Sequence, residues 1–103
     1  MNKKQTITLA GYFDGPNTIR ARIVAPALAV HKTVEPVLGE MPWTITHIPT
    51  GYYIARTKTQ PQAKRIVGAI KDLADWPNVT QKGPPRMKRD AIRQAIRAIG
   101  GKR

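Results

Sequence analysis

Apolar positions in the N-terminal half of the chain recur with a period of two. Gln5 to Phe13 sets Ile7, Leu9 and Phe13 against Thr6, Thr8, Ala10 and Tyr12, the alternation of a half-buried strand. Asp14-Gly15-Pro16-Asn17 is a turn signal, and Thr18 to Ala25 resumes the alternation with Ile19, Ala21 and Ile23 opposite Arg20, Arg22 and Val24. The two runs predict an antiparallel hairpin with Tyr12, Arg20 and Arg22 together on its solvent face. Ala27 to Val34 keeps Leu28, Val30 and Val34 in phase between Pro26 and Pro36; it reads as a strand, although a short Ala/Leu run between prolines also fits a helical turn. Glu35 to Pro42, with two prolines and a glycine, reads as a loop.

A second hairpin follows in WTITHIPTGYYIAR, Trp43 to Arg56. Trp43, Ile45 and His47 alternate with Thr44, Thr46 and Ile48, and Tyr52 and Ile54 alternate with Tyr53 and Ala55. Between them Pro49 sets φ for a tight turn and Gly51 accepts a positive φ at its exit. If Ile48 and Gly51 flank the turn, Trp43, Ile45, Tyr52 and Ile54 line the core and Thr44, Thr46 and Tyr53 the open face.

The period then changes to that of a helix. Ala63, Ile66, Val67, Ile70, Leu73 and Ala74 form one apolar stripe from about Gln60 to Asp75, with Pro61 in the first turn and Pro77 as the stop. Asn78 to Pro85 is a polar, Gly/Pro-rich linker. Arg86 to Ile99 carries Ile92, Ala95, Ile96 and Ile99 on one side and ends at Gly100-Gly101. The expected architecture is α+β: an antiparallel sheet of four to five strands built on two hairpins, one packed helix, and a basic C-terminal helix. Residues 1–77 form the sheet and helix core, and residues 78–103 add the linker and basic helix of the same single domain.

Charge changes this picture from a scaffold to a scaffold with a working surface. The 103 residues carry a formal charge of +12. Residues 1–55 hold Lys3, Lys4, Arg20, Arg22 and Lys32 against Asp14, Glu35 and Glu40, so nearly all the excess lies in residues 56–103. A polyanion, nucleic acid first, is the expected partner. There is no cysteine, which excludes disulfides and thiolate metal sites. No stretch approaches ~18 uninterrupted apolar residues, and the short N-terminal apolar run, broken by Thr and Gly, does not make a signal peptide. The expectation is a soluble, cytoplasmic protein with no membrane partner.

Catalytic and metal chemistry find little support. The acids are scattered singly, so His47 has no orienting carboxylate in sequence and reads as a strand histidine beside an aromatic ring. His31 and His47 lack metal-ligand spacing, and Pro-Thr-Gly lacks the Gly-Lys-Ser/Thr ending of a phosphate loop. A non-enzymatic protein without metal or cofactor is expected.

The C-terminal segment RMKRDAIRQAIRAIGGKR is more informative. Arg89, Arg93 and Arg97 stand at i, i+4 and i+8 beside the apolar stripe, and Arg86, Lys88, Lys102 and Arg103 extend the patch. Like charges at this spacing cost about a few tenths of a kcal/mol per pair in an isolated helix, a cost that a polyanion relieves. Arginine suits phosphate because its planar fork donates two hydrogen bonds without losing charge. The apolar side, small Ala and Ile without an aromatic anchor, disfavours a membrane-surface helix. On the sheet, Tyr12, Arg20, Arg22 and Tyr53, with Lys58 beyond them, make a face on which bases stack while phosphates are neutralised, which favours single strands.

In size, charge and the layout of two hairpins followed by a helix, the chain resembles the small basic accessory and early proteins of lytic bacteriophages. Its order of elements is similar to the strands-then-helix plan of transcription-cofactor and Whirly-type single-stranded DNA binders, without their sequence motifs. The second resemblance implies binding of single-stranded DNA or RNA, and the expected place is the host cytoplasm if the chain is phage-encoded. A homodimer, joined through an exposed apolar strip or free sheet edges, would double the cationic surface. The rival expectation is a phage-type inhibitor or regulator that binds a host protein complex through its basic surface.

Overall fold

A computed structural model of the chain describes residues 3–9, 17–33, 41–80 and 86–102. Five strands, β1 (Lys3–Leu9), β2 (Asn17–Ala25), β3 (Leu28–Lys32), β4 (Trp43–His47) and β5 (Tyr53–Thr57), are followed by helix α1 (Gln60–Ile70), a single 3-10 turn (Trp76–Asn78) and helix α2 (Arg86–Ala98). The strands pair antiparallel in the order β1-β2-β3-β4-β5, so the protein is α+β with an open sheet. Residues 28–32 form the middle strand. Tyr12, Val34, the turn at residues 14–16, most of the 35–42 loop, residues 81–85 of the linker and Arg103 lie outside the described residues.

Two bulges decide which side chains face where. Up to Ile23, β2 keeps strict alternation, with Ile19, Ala21 and Ile23 paired to Ile7, Gln5 and Ala29. The register shifts at Val24, and Ala25 pairs with Leu28 on the other face. A bulge inserts one residue and so inverts the faces beyond it. Leu28, Val30 and Ile45 lie in the core with Ala63, Ile66, Val67 and Ile70 of α1, which defines the helix side. Arg22 opposes Val30 and therefore lies on that same side, with Arg20 two residues before it. The expectation that Arg20 and Arg22 look away from the helix is thus inverted, because the alternation was carried unbroken through Val24. Ile7, Leu9, Ala21 and Ala29 form a second cluster on the far face.

The β4–β5 pair has the other bulge. Ile45 opposes Ala55 but Thr46 opposes Tyr53, leaving Ile54 as the extra residue. Ala55, rather than Tyr52, fills the core, and Tyr52 is 46 % exposed. Thr44 and Thr46 are fully buried instead of lining an open face. They are held in a polar layer: Thr46 Oγ1 lies 2.7 Å from His31 Nε2, Thr44 Oγ1 lies 2.8 Å from Thr33 Oγ1, and Thr33 donates to the Met41 carbonyl. The His31 Nδ1–H donates to the Lys32 carbonyl at 2.7 Å. Desolvation lowers the His31 pKa below its ordinary value, with that backbone hydrogen bond opposing.

Helix α1 starts in a full capping box, in which Thr59 and Gln62 each accept from the other's backbone N–H, and Pro61 sits in the first turn. It ends at Ile70, five residues before the predicted boundary. The Trp76 indole Nε1–H donates to the Ile70 carbonyl at 2.9 Å, and its ring packs on His47 with centroids 5.9 Å apart. The chain turns early because Trp76 must fold back over the sheet to reach both groups. His47 is buried, with Nε2 2.6 Å from the Trp76 carbonyl and Nδ1 2.8 Å from Thr50 Oγ1. A carbonyl only accepts, so Nε2 carries a proton and donates to it. The Thr50 hydroxyl accepts from the Tyr52 N–H, and Gly51 takes the expected positive φ, 76°. The Pro-Thr-Gly turn is architecture.

Helix α2 joins the same core. Ile92 and Ile96 are buried in it, and Ala95 and Ile99 pack at its margin. The apolar strip considered for a second copy is therefore covered by the chain itself.

Candidate functional site

The end of α2 fixes the most suggestive surface. The Gly101 N–H reaches the Ile96 carbonyl at 2.9 Å and the Gly100 N–H the Arg97 carbonyl at 3.1 Å, with Gly100 at φ 93°. This pair of bonds is the Schellman ending of a helix. It turns the chain so that Lys102 pairs with Arg56 on the outer edge of β5, through N···O distances of 2.7 and 2.9 Å. Gly101 sits so close to α1 that an added Cβ would lie 2.5 Å from Ile66 Cδ1. A glycine there is a packing requirement.

Directly paired residues on antiparallel strands project to one face. Arg56 opposes Thr44 and Tyr53 opposes Thr46, so both point away from α1, and Lys102 joins them through its bridge to Arg56. The Arg56 guanidinium carbon stands 4.3 Å from the centre of the Tyr53 ring, a cation–π contact. Tyr53 remains 41 % exposed. Arg56 Nε is buried and meets no hydrogen-bond partner among the described residues. Lys102 also lines an open depression of about 520 Å³ with Arg93, Ile96, Arg97 and Gly101. Lys102 thus links two groups at the β5 edge, the Tyr53–Arg56 pair on the face away from α1 and the depression that Arg93 and Arg97 line along α2. Arg97 stands in the last turn of α2, where the helix dipole favours a cation.

The sequence-predicted residues divide accordingly. Arg93, Arg97 and Lys102 line one depression, and Tyr53 is linked to Lys102 through Arg56. Lys58 is exposed two residues beyond Arg56, and Lys88 and Arg89 are exposed toward the start of α2. Arg86 opens α2 and is described in its backbone alone, while Tyr12 and Arg103 lie outside the described residues. Arg20 and Arg22 belong to the opposite face from Tyr53, so the single Tyr/Arg sheet face does not exist as expected.

The sequence pattern does not single out Arg56. Strict alternation places residues 53 and 56 on opposite faces, and only the bulge at Ile54 brings them together. A tyrosine three residues before an arginine in a strand would signal this pair only to a reader who already knew of the bulge.

Among the described residues, no group of three or more His, Cys, Asp or Glu is arranged to hold a metal ion, and no helix is long and apolar enough to cross a membrane. Comparison with protein families, with curated proteins and with solved structures gave no match, so the residues alone carry the functional reading.

Proposed function

We propose that the protein binds single-stranded nucleic acid, without catalysis, at the junction of β5, the C-terminal tail and α2. The observation that carries this reading is the Tyr53–Arg56–Lys102 cluster, continuous through Lys102 with the depression lined by Arg93 and Arg97. Arg56 covers one side of the Tyr53 ring and steadies it, leaving exposed ring surface for an unpaired base. Lys102, paired with Arg56, leads from the ring round the β5 edge to the depression where Arg93 and Arg97 are available to phosphates. A duplex keeps its bases stacked on one another and would leave the tyrosine without a partner, which favours single strands.

A salt-titrated binding assay tests this. On single strands, log K falls with log salt by about 0.7 per neutralised phosphate. Replacing Arg93, Arg97 and Lys102 by Gln removes up to three such contacts, so the slope becomes shallower by roughly 2. Tyr53→Ala weakens binding by about 1–3 kcal/mol with little change in slope, because stacking releases no counterions. If the folded parent binds no oligonucleotide at any salt concentration, the reading fails and the host-directed regulator becomes the better one.

A further inference from the structure

The sheet carries a second cationic surface, on the opposite flank of α1 from the first. On α1, Ala63, Ile66, Val67 and Ile70 face the core. Gln62 lies on the flank toward α2, since its Nε2–H reaches the Ile99 carbonyl and Ile66 lies against Gly101. At ~3.6 residues per turn, Lys64 and Lys71 fall on the other flank. The C-terminal tail closes on β5, so α2 lies toward that edge and the free flank of α1 looks toward β2 and β1. The helix-side residues there are Lys4, directly opposite Arg22, then Arg20, and Lys32 two residues on from Val30. By register and helical spacing, six cations from four elements therefore flank one strip of the sheet's helix side, the channel between α1 and the β1–β2 edge.

Three features of this channel point to a polyanion. Lys4 and Arg22 form a directly opposed like-charge pair, an arrangement that destabilises a sheet unless an anion bridges it. Arg22 is half-buried, and its Nε is buried without a hydrogen-bond partner among the described residues. Asp72, beside Lys71 in the turn after α1, is the one described carboxylate next to any of the six in sequence, and no described salt bridge neutralises them. The neighbouring aromatic residue, Trp43 opposite Lys32, is packed against the core. Among the described residues the channel thus offers charge without an exposed ring, which suits a phosphodiester backbone.

We infer that this channel is a second phosphate-backbone site, so that one chain holds two nucleic-acid segments and brings them together. The inference rests on the proposed binding at the β5 edge. Its test counts short oligothymidylates bound per chain by titration calorimetry, a number that dimerisation does not alter, and reads energy transfer between donor- and acceptor-labelled oligonucleotides. The parent takes two per chain and gives transfer. A channel variant, Arg20→Gln with Lys32→Gln and Lys64→Gln, takes one and loses the transfer; Arg22 is left in place because it is half-buried. An edge variant, Tyr53→Ala with Arg93→Gln and Arg97→Gln, also takes one. Circular dichroism first establishes that both variants fold. A parent that saturates at one oligonucleotide, or a channel variant that still takes two, overturns the inference and leaves the edge site standing. A parent that takes none overturns the proposed function itself. An edge variant that binds like the parent while the channel variant binds nothing overturns both, since the channel would then be the one site.

Discussion

Gly101→Ala is the substitution that most sharply tests how the fold builds its edge surface. The new Cβ would lie 2.5 Å from Ile66 Cδ1, 2.9 Å from Ile96 Cγ2 and 3.3 Å from the Ile96 carbonyl oxygen. Both isoleucines are buried, so neither can swing its methyl group into solvent. Overpacking of this kind costs about 1–3 kcal/mol, and a domain of this size loses about 4–8 °C in Tm per kcal/mol. The clash is separable from any other effect of the alanine. Ile66→Val deletes the offending Cδ1 and by itself costs about 0.5–1.5 kcal/mol. In the double variant the two losses are less than additive, by about 1 kcal/mol or more, because each change relieves the other. Urea denaturation of the four proteins measures the cycle. Amide exchange at Arg56 and Lys102 should accelerate in Gly101→Ala and slow again in the double variant, since their paired N–H groups depend on where Gly101 docks. Additivity within about 0.5 kcal/mol would refute the contact as the reason for the glycine.

His47→Ala should cost about 2 kcal/mol by chemical denaturation, through the lost hydrogen bond to the Trp76 carbonyl and the cavity beside the Trp76 ring; oligonucleotide affinity of the folded variant should stay within about twofold of the parent, and a large loss would make His47 functional. For His31 the folded pKa is lowered, so the unfolded chain binds more protons as pH falls below about 6.5. Its contribution to stability is complete above that pH and declines below it, down to the folded pKa, by at most about 1.4 kcal/mol per pH unit. His31→Gln should flatten this part of the curve, and an unchanged curve would refute the assignment.

Periodicity in the sequence carried the element types well and the face assignments less well. The helical stripe from Ala63 to Ile70 and the alternation from Trp43 to His47 are local patterns, and both elements stand where the pattern puts them. Bulges are not local in this sense. Val24 and Ile54 look like ordinary strand residues, and what makes each the extra one is the partner strand's register. Two errors of facing follow from these positions: Arg20 and Arg22 on the wrong side of the sheet, and Arg56 unnoticed beside Tyr53. The end of α1 was misplaced for a related reason. Leu73 and Ala74 continue the apolar spacing, but the tertiary contacts of Trp76 with His47 and Ile70 decide where the helix stops. The basic stripe Arg89–Arg93–Arg97 was legible because a helix needs no partner to set its period; the pairing of Lys102 with Arg56 was not, because it joins residues 46 positions apart in the chain.

The two bulges also explain how so much charge is distributed over a small sheet. Without the inversion at Val24, Arg20 and Arg22 would share the far face with Tyr53 and Arg56, and the apolar residues Ile19, Ala21 and Ile23 would lie under the helix beside Ala25 and Leu28. With it, the cations of β1 to β3 border one flank of α1, and those of β5, the tail and α2 gather at the other end of the sheet. Repulsion between the groups falls with distance and is screened over a Debye length of about 8 Å at physiological salt. Within each group it is not, and the folded chain keeps like charges close enough to repel. Each group is therefore relieved most by its own anion, and one extended strand lying along a single face could not satisfy both.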